Sequence, residues 1–585
     1  VSTGRPRRDP HGERGYAAVL TAVFVAFVML PCCAIAIDVA RMYLEIQRVQ
    51  NAADAAALAA VTYLPDDFNA AATTARAVSG KNGYPDTDPV DVAVTLGAKP
   101  TQLKVTVTST IRNSFAAAFG MDFATVKRSA MADYNGPAPM GSPCNSFGNE
   151  PPPGYAEANA PGQQTVAAPP GGATCSTKPD FWAAIAGPGT PKANGDAVMT
   201  RSCAAGTSGC NGTVNAEFDP TGYFYVVRVE PAAVGQPVRL QVFDPAHVAV
   251  GDNCENAPKE VEATTTRLED VMNPYTHDGL TRYAGGAAGN YCTGDVGSGV
   301  ITSFAVRGPT DTYQPVNGPA MTDCVRQFKS YGASTATSKT LRDKRNDGST
   351  NGSYNHEVAR VFRQWVDLCT FTPTKAGDHY IQVRTNVSLT GAALTDSIGG
   401  IYGGNQRVFT QMGDDTAVGG SGNNRFAFRA VGPAKASVSI SGWEEMGVYA
   451  NYPQANTIFN LVRVIPAAAS KTLIVTFFDV GDASGAGTIK VLKPLDSNLP
   501  DTLVGCTGSG VRTSVPDCQL TNVSSSSGFN GKTQTVRVPI PATYTCESTQ
   551  RGGCWFRLTV SFPGGVTDTT TWSARVEGDP VRLIE

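Results

Sequence analysis

Two aspartates, Asp244 and Asp479, close matching apolar strands in a chain that is otherwise poor in catalytic residue types. Clustered carboxylate oxygens are what hard cations require, so either turn could become a calcium loop with Asp252 or Asp482. An Asp that caps its own turn is the simpler expectation. No metal ligand, cofactor-binding residue or catalytic residue is therefore assigned. The five histidines (His11, His247, His277, His356 and His379) are scattered, and His379 is expected at a strand edge. The chain has neither a Gly-x-Ser-x-Gly elbow nor a His-Glu-x-x-His pair. Asn530-Gly531-Lys532-Thr533 imitates the end of a phosphate loop, but Ser526 replaces its opening glycine and Gln534 to Ile540 reads as a strand. Asp479-Val-Gly-Asp482-Ala-Ser484 lacks the second serine of a metal-dependent adhesion site. A hydrolase would need a pocket gathering His277 and Asp278, or His356 and Glu357.

Cysteine is the other reactive type. Cys32 and Cys33 lie inside an apolar run and are read as small apolar fillers. The twelve that follow are even in number, without a CxxC pair or clustered histidines, which favours disulfides in an oxidising compartment over zinc. Pairing neighbours in order gives Cys203–Cys210, Cys254–Cys292, Cys324–Cys369, Cys506–Cys518 and Cys546–Cys554. Cys144 and Cys175 would then close a loop.

The elements that carry these residues begin with an internal repeat. Phe224 to Asp244 aligns without gaps onto Phe459 to Asp479, with nine of twenty-one positions identical. Each copy reads strand, Pro-Ala-Ala turn, strand, Asp. Later landmarks keep their order: Gly377 to Val383 matches Gly552 to Leu558, and Phe426 to Gly432 matches Trp572 to Gly578. Two related sandwich-like β-domains are expected, residues 180–434 with insertions such as Ser334 to Ser353, and residues 435–585. The stretch 136–179, rich in Pro and Gly, reads as a spacer. Ahead of it, helical Asp66 to Val78, alternating strands at Val90 to Leu96 and Leu103 to Val107, a helical face at Ile111, Phe115 and Phe119, and a strand at Ala124 to Tyr134 make a small α/β cap. Net charge is −3, which gives no support for nucleic-acid binding.

The N-terminal segment is the most specific. No charge lies between Arg14 and Asp38, and the run Tyr16 to Ile37 would form a helix roughly 33 Å long, enough to cross a bilayer. Pro31 should kink it. Arg5, Arg7, Arg8 and Arg14 put the N-terminus in the cytoplasm by the positive-inside rule. The helix then continues through Asp38, Tyr43 and Gln50-Asn51-Ala-Ala-Asp54-Ala-Ala-Ala-Leu58, with Arg41, Glu45 and Arg48 spaced to pair on one face. The order of these landmarks over residues 13–64 resembles the TadE/TadG-like Flp (tight adherence) pilus assembly family. Prepilins of this type carry a glutamate soon after the cleaved glycine, whereas Gly15-Tyr16 here is followed by Ala17 to Leu20. That difference favours a retained anchor over a cleaved fibre subunit.

The resemblance implies a non-enzymatic, single-pass membrane component whose partners are the bilayer, other pilin-like subunits and the assembly machinery. Asp38, Tyr43, Ala52 and Ala56 are expected to serve helix packing. The alternative is an anchored adhesin that binds a surface ligand outside any pilus. The expected fold class is α+β: a cytoplasmic tail (1–15), a transmembrane helix (16–37) continuing into an amphipathic helix and cap (38–135), the spacer, and the two β-domains.

Overall fold

The computed structural model describes residues 11–64, 68–97, 102–134, 138–148, 175, 181–219, 221–249, 297, 299–310, 315–328, 330–332, 361–362, 365–385, 420–452, 457–483, 485–563, 566–577 and 581–583. The chain is α+β and divides into two compact units, Val1–Gly136 with Asp579–Glu585, and Pro137–Gly578.

In the first unit α1 (His11–Phe24) runs through a π-helical turn (Val25–Met29) into α2 (Leu30–Ala60). The π turn sits where Pro31 would otherwise drive its ring into the carbonyl four residues back, at Phe27; the wider turn absorbs that clash. Helix α3 (Phe68–Lys81) follows, then β1 (Val90–Leu96), β2 (Gln102–Arg112) and β3 (Phe123–Tyr134), all antiparallel. Leu103, Val105 and Val107 alternate inward on β2 and meet Val126, Ala130 and Ala132 of β3. The alanines of α2 cover this face, since a side chain of one carbon lets helix and sheet approach closely. The helix expected around Ile111 to Phe119 is not formed as such. Ile111 and Arg112 extend β2, and only Ala116–Phe119 coils, as a 3₁₀ turn ended by Gly120 at φ 79°. Pairing between the two strands prevails there over local helical spacing, and the Asn113 N–H donates to Asp122 O at 2.9 Å.

The second unit holds strands β4 (Ser146–Phe147), β5 (Phe181–Ala186), β6 (Cys210–Asn211), β7 (Val214–Asn215), β8 (Tyr223–Val229), β9 (Val238–Phe243), β10 (Thr302–Arg307), β11 (Ala320–Phe328), β12 (Trp365–Phe371), β13 (Gly377–Thr385) and β14 (Asn423–Val431). They are followed by β15 (Val438–Gly442), β16 (Glu445–Tyr452), β17 (Thr457–Arg463), β18 (Thr472–Phe478), β19 (Gly487–Leu492), β20 (Thr507–Gly510), β21 (Gln519–Val523), β22 (Thr533–Pro539), β23 (Trp555–Ser561) and β24 (Val566–Val576). The last strand, β25 (Val581–Leu583), belongs to the first unit, where it pairs with β3.

The repeat is visible in the pairing. Strand β8, the Pro231–Ala233 turn and β9 correspond to β17, the Pro466–Ala468 turn and β18, and each pair exits through an aspartate in the left-handed region, Asp244 at φ 53° and Asp479 at φ 61°. Strand β13 lies on β8 as β23 lies on β17, and β14 on β9 as β24 on β18. The register places Ala430 opposite Leu240 and Ala574 opposite Val475, so Trp572 corresponds to Phe428, two positions from the Phe426 match expected from sequence. A shift of two keeps a side chain on the same face. Both rings pack in the core, Phe428 edge-on to Tyr225 at 4.9 Å and Trp572 edge-on to Phe477 at 5.8 Å.

The copies are not separate bodies on either side of residue 434. One sheet runs β12-β9-β14-β5-β16-β24-β18-β22-β20, joined in its middle by β5 and β16. Phe426 pairs with Ala183, and Thr570, its counterpart, pairs with Val448; Ala183 and Val448 also pair with each other. A pseudo-twofold axis therefore passes through that pair. Fusing the sheets removes two exposed edges, which explains why the copies join rather than stand apart. The opening of the expected spacer is also built in. Met140 bridges Gly442 and Val462, and β4 pairs with β14.

Disulfides link Cys144–Cys175, Cys203–Cys210, Cys324–Cys369, Cys506–Cys518 and Cys546–Cys554. Cys32 and Cys33 are unpaired and exposed on the helix. Cys254 and Cys292 lie outside the described residues, as do Asp252, His277, Asp278, His356, Glu357 and the Ser334 to Ser353 insertion.

Candidate functional site: the long helix and its clamp

The helix from Gly15 to Tyr63 is long and apolar enough to cross a membrane. Tyr16, Val19, Leu20, Phe24 and Phe27 are all exposed around it, Phe27 at 76 %. The exposed apolar surface continues past Asp38 through Val39, Met42, Tyr43 and Leu44. It ends where the cap begins, for Val49, Ala52, Ala53, Ala56, Ala57 and Ala60 are buried.

Asp38 marks the change. Its carboxylate accepts three backbone N–H groups, from Ser114 at 3.0 Å, Phe115 at 2.8 Å and Ala116 at 2.7 Å. These are the free donors at the start of the Ala116–Phe119 turn, and a carboxylate there is favoured by their aligned dipoles. The Ala116 N–H, with those of Phe115 and Ser114 and the Arg41 charge, holds the carboxyl below its usual range. Arg41 donates to the Ser114 hydroxyl beside it. One turn on, Glu45 accepts from the Ser109 hydroxyl at 2.8 Å, and burial followed by the Glu45 charge pushes the Tyr84 phenol up to about 12. Gln50 donates to Asp54 at 2.8 Å and to Ser129 O at 3.2 Å. Glu45 thus turns inward to the cap, whereas its spacing from Arg41 and Arg48 suggested an exposed face of ion pairs. Ala52 and Ala56 pack within the chain's own cap, while Tyr43 stands 66 % exposed.

Residues 15–76 match the family model for putative Flp pilus-assembly TadE/G-like proteins. No curated protein and no solved structure matches the chain. The TadE/G-like match ends inside α3, so the apolar helix and the start of the cap lie within it, whereas the strands of the β unit lie beyond it.

Elsewhere the polar groups are mostly engaged structurally. His379 is buried on β13 with its ring 4.6 Å from Phe371, and burial lowers its pKa to about 4. Asp496 lies close to Cys546 and Cys554, but both sulfurs are in a disulfide, and the carboxylate accepts the Cys554 and Glu547 N–H groups. Thr533 opens β22, and the Gly531 N–H that a phosphate loop would offer to a nucleotide is taken by Asp479. A cavity of about 240 Å³ is lined by Asp219, Tyr223, Phe224, Trp443, Glu444 and Glu445. Burial, then neighbouring acids beginning with Asp196, pushes the Glu445 carboxyl up to about 7. Sequence reasoning missed this cavity, because its residues come from separate strand ends and carry no motif.

Proposed function

We propose that the chain is a membrane-anchored, non-enzymatic, pilin-like component of a Flp-type pilus apparatus. Its N-terminus lies in the cytoplasm and its disulfide-bonded β unit outside the cell. One observation carries this reading: the long helix is sealed by its own cap from Val49 onward, yet leaves an apolar surface open from Tyr16 to Leu44. The lower part of that surface suits lipid, and the part beyond Asp38 suits the helices of other pilin-like subunits. The five disulfides among the described residues agree with an oxidising compartment. Asp38, whose three backbone partners hold the helix against the cap, would keep that surface presented in one orientation.

A photo-crosslinking residue at Tyr43 in intact cells tests the reading. The expected product is an adduct with a pilin-like subunit. A strain lacking the protein that still builds normal pili and adheres normally would overturn it. A second reading, an anchored adhesin outside any pilus, draws on the cavity at Trp443, where an aromatic wall and the carboxylates of Glu444 and Glu445 suit a cationic or hydroxylated ligand. A blank glycan array for the full chain would count against it.

A further inference from the structure

The contacts between α2 and the cap fix the height of each part of the cap along the helix. Gln50 donates to Ser129 O at 3.2 Å, and Glu45 accepts from the Ser109 hydroxyl at 2.8 Å. Asp38 accepts from the N–H groups of Ser114, Phe115 and Ala116. From Gln50 down to Asp38 is about 18 Å at the α-helical rise. The β2–β3 hairpin therefore runs down the helix, with Thr106 paired to Ser129 near the top and Arg112 paired to Phe123 near the bottom. Its connecting segment, residues 113–122, lies at the level of Asp38, where the apolar run Tyr16 to Ile37 ends.

That end of the hairpin carries apolar side chains that the cap leaves uncovered. Phe115 is 44 % exposed, Met121 56 % and Phe123 65 %, whereas the inward positions Val105, Val107 and Val126 on the same two strands are buried. On the helix at the same level, Ile35 and Ile37 are exposed as well. A lone exposed apolar residue is ordinary, but several gathered at one loop mark a contact surface. Arg112, exposed beside them on β2, suits lipid phosphates. Asp122, exposed between Met121 and Phe123, limits how far such a tip can sink into hydrocarbon.

We propose that the tip of the β2–β3 hairpin is a membrane wedge, with Phe115, Met121 and Phe123 entering the boundary between headgroups and acyl chains. Such a contact presupposes that the helix is a membrane anchor, as proposed for its function, and adds a second, shallow attachment to it. Lipid is the fitting occupant because the Asp38 clamp holds the tip at the height where the apolar run stops. Phenylalanine and other large apolar side chains favour that boundary, with charged neighbours on its watery side. Two points of attachment also stop the helix from turning about its own axis, so the cap stands over the lipid in one orientation.

The test uses the full chain in vesicles of phosphatidylcholine and phosphatidylglycerol, with p-benzoylphenylalanine in place of Phe27, Leu96 or Phe123. After irradiation, adducts are identified by mass spectrometry. Leu96 is 49 % exposed but sits at the other end of the cap sheet, paired with Leu103, and serves as the control. Lipid adducts are expected from the probes at Phe27 and Phe123, the latter at least about fivefold above the yield at Leu96. Phe115→Ser combined with Met121→Ser should cut the yield at Phe123 by a similar factor while the cap melts unchanged. Lipid adducts at Phe27 with none above the control at Phe123 overturn the wedge and leave the anchor standing; none at either overturns both. A crosslink from Phe123 to a second copy of the chain in place of lipid also overturns it, as does an undiminished yield in the folded serine variant. Should that variant fail to fold, the comparison of Phe123 with Leu96 decides alone.

Discussion

Asp38 on the one hand, and Asp479 and Asp568 on the other, are the same residue type under opposite conditions. Asp38 is surrounded by N–H donors and its folded pKa is depressed, so its stabilising effect is complete above the ordinary carboxyl pKa and fades as pH falls through the lowered value. Amide protection at Ser114 to Ala116, taken relative to the intrinsic exchange rate at each pH, should therefore be high at neutral pH and fall below about pH 4. Asp38→Ala should remove that protection at every pH, with the rest of the cap still protected. Asp479 and Asp568 have raised pKa values, so the folded chain binds more protons than the unfolded one between about pH 4 and 8. Stability should fall as pH rises across that window, read from melting temperatures at a series of pH values.

At the scale of elements, Ala56 and Tyr43 on α2 separate packing within the cap from the exposed surface of the helix. Ala56 is fully buried, so Ala56→Leu overpacks the cap and should cost about 1–3 kcal/mol in thermal unfolding. Tyr43→Ala should leave cap stability within about 0.5 kcal/mol, since an exposed side chain away from special features costs little. The seam between the β copies has a comparable weak point at Gly447, where an added Cβ would meet the Ala184 carbonyl. Gly447→Val should destabilise the β unit by at least about 1–3 kcal/mol, read from its melting temperature.

Much of this was legible in the sequence. The alternation on β1 and β2, the Pro-Ala-Ala turns and the apolar helix each follow from a period or a punctuating residue. The seam was not legible, because Phe181 to Ala186 and Glu445 to Tyr452 are buried strands whose partners lie far along the chain. Nor does any local pattern announce that Asp568 is the counterpart of Asn424, which only the strand register shows.

For the whole molecule, the point of consequence is β25. Val581, Arg582 and Leu583 pair with Tyr134, Asp133 and Ala132, so the β unit is an insertion between two strands of the cap. Arg582→Pro should remove a ladder donor and speed amide exchange along Ala132 to Tyr134, while the β unit melts unchanged. Chains are made from the N-terminus onward, so the helix, its clamp and the first three cap strands emerge long before the fourth. Until then the edge of β3 is an open ladder, able to recruit any stray strand. Pairing of β25 is what seals that edge, so the order of synthesis leaves the cap sheet one strand short until the whole insertion has been made.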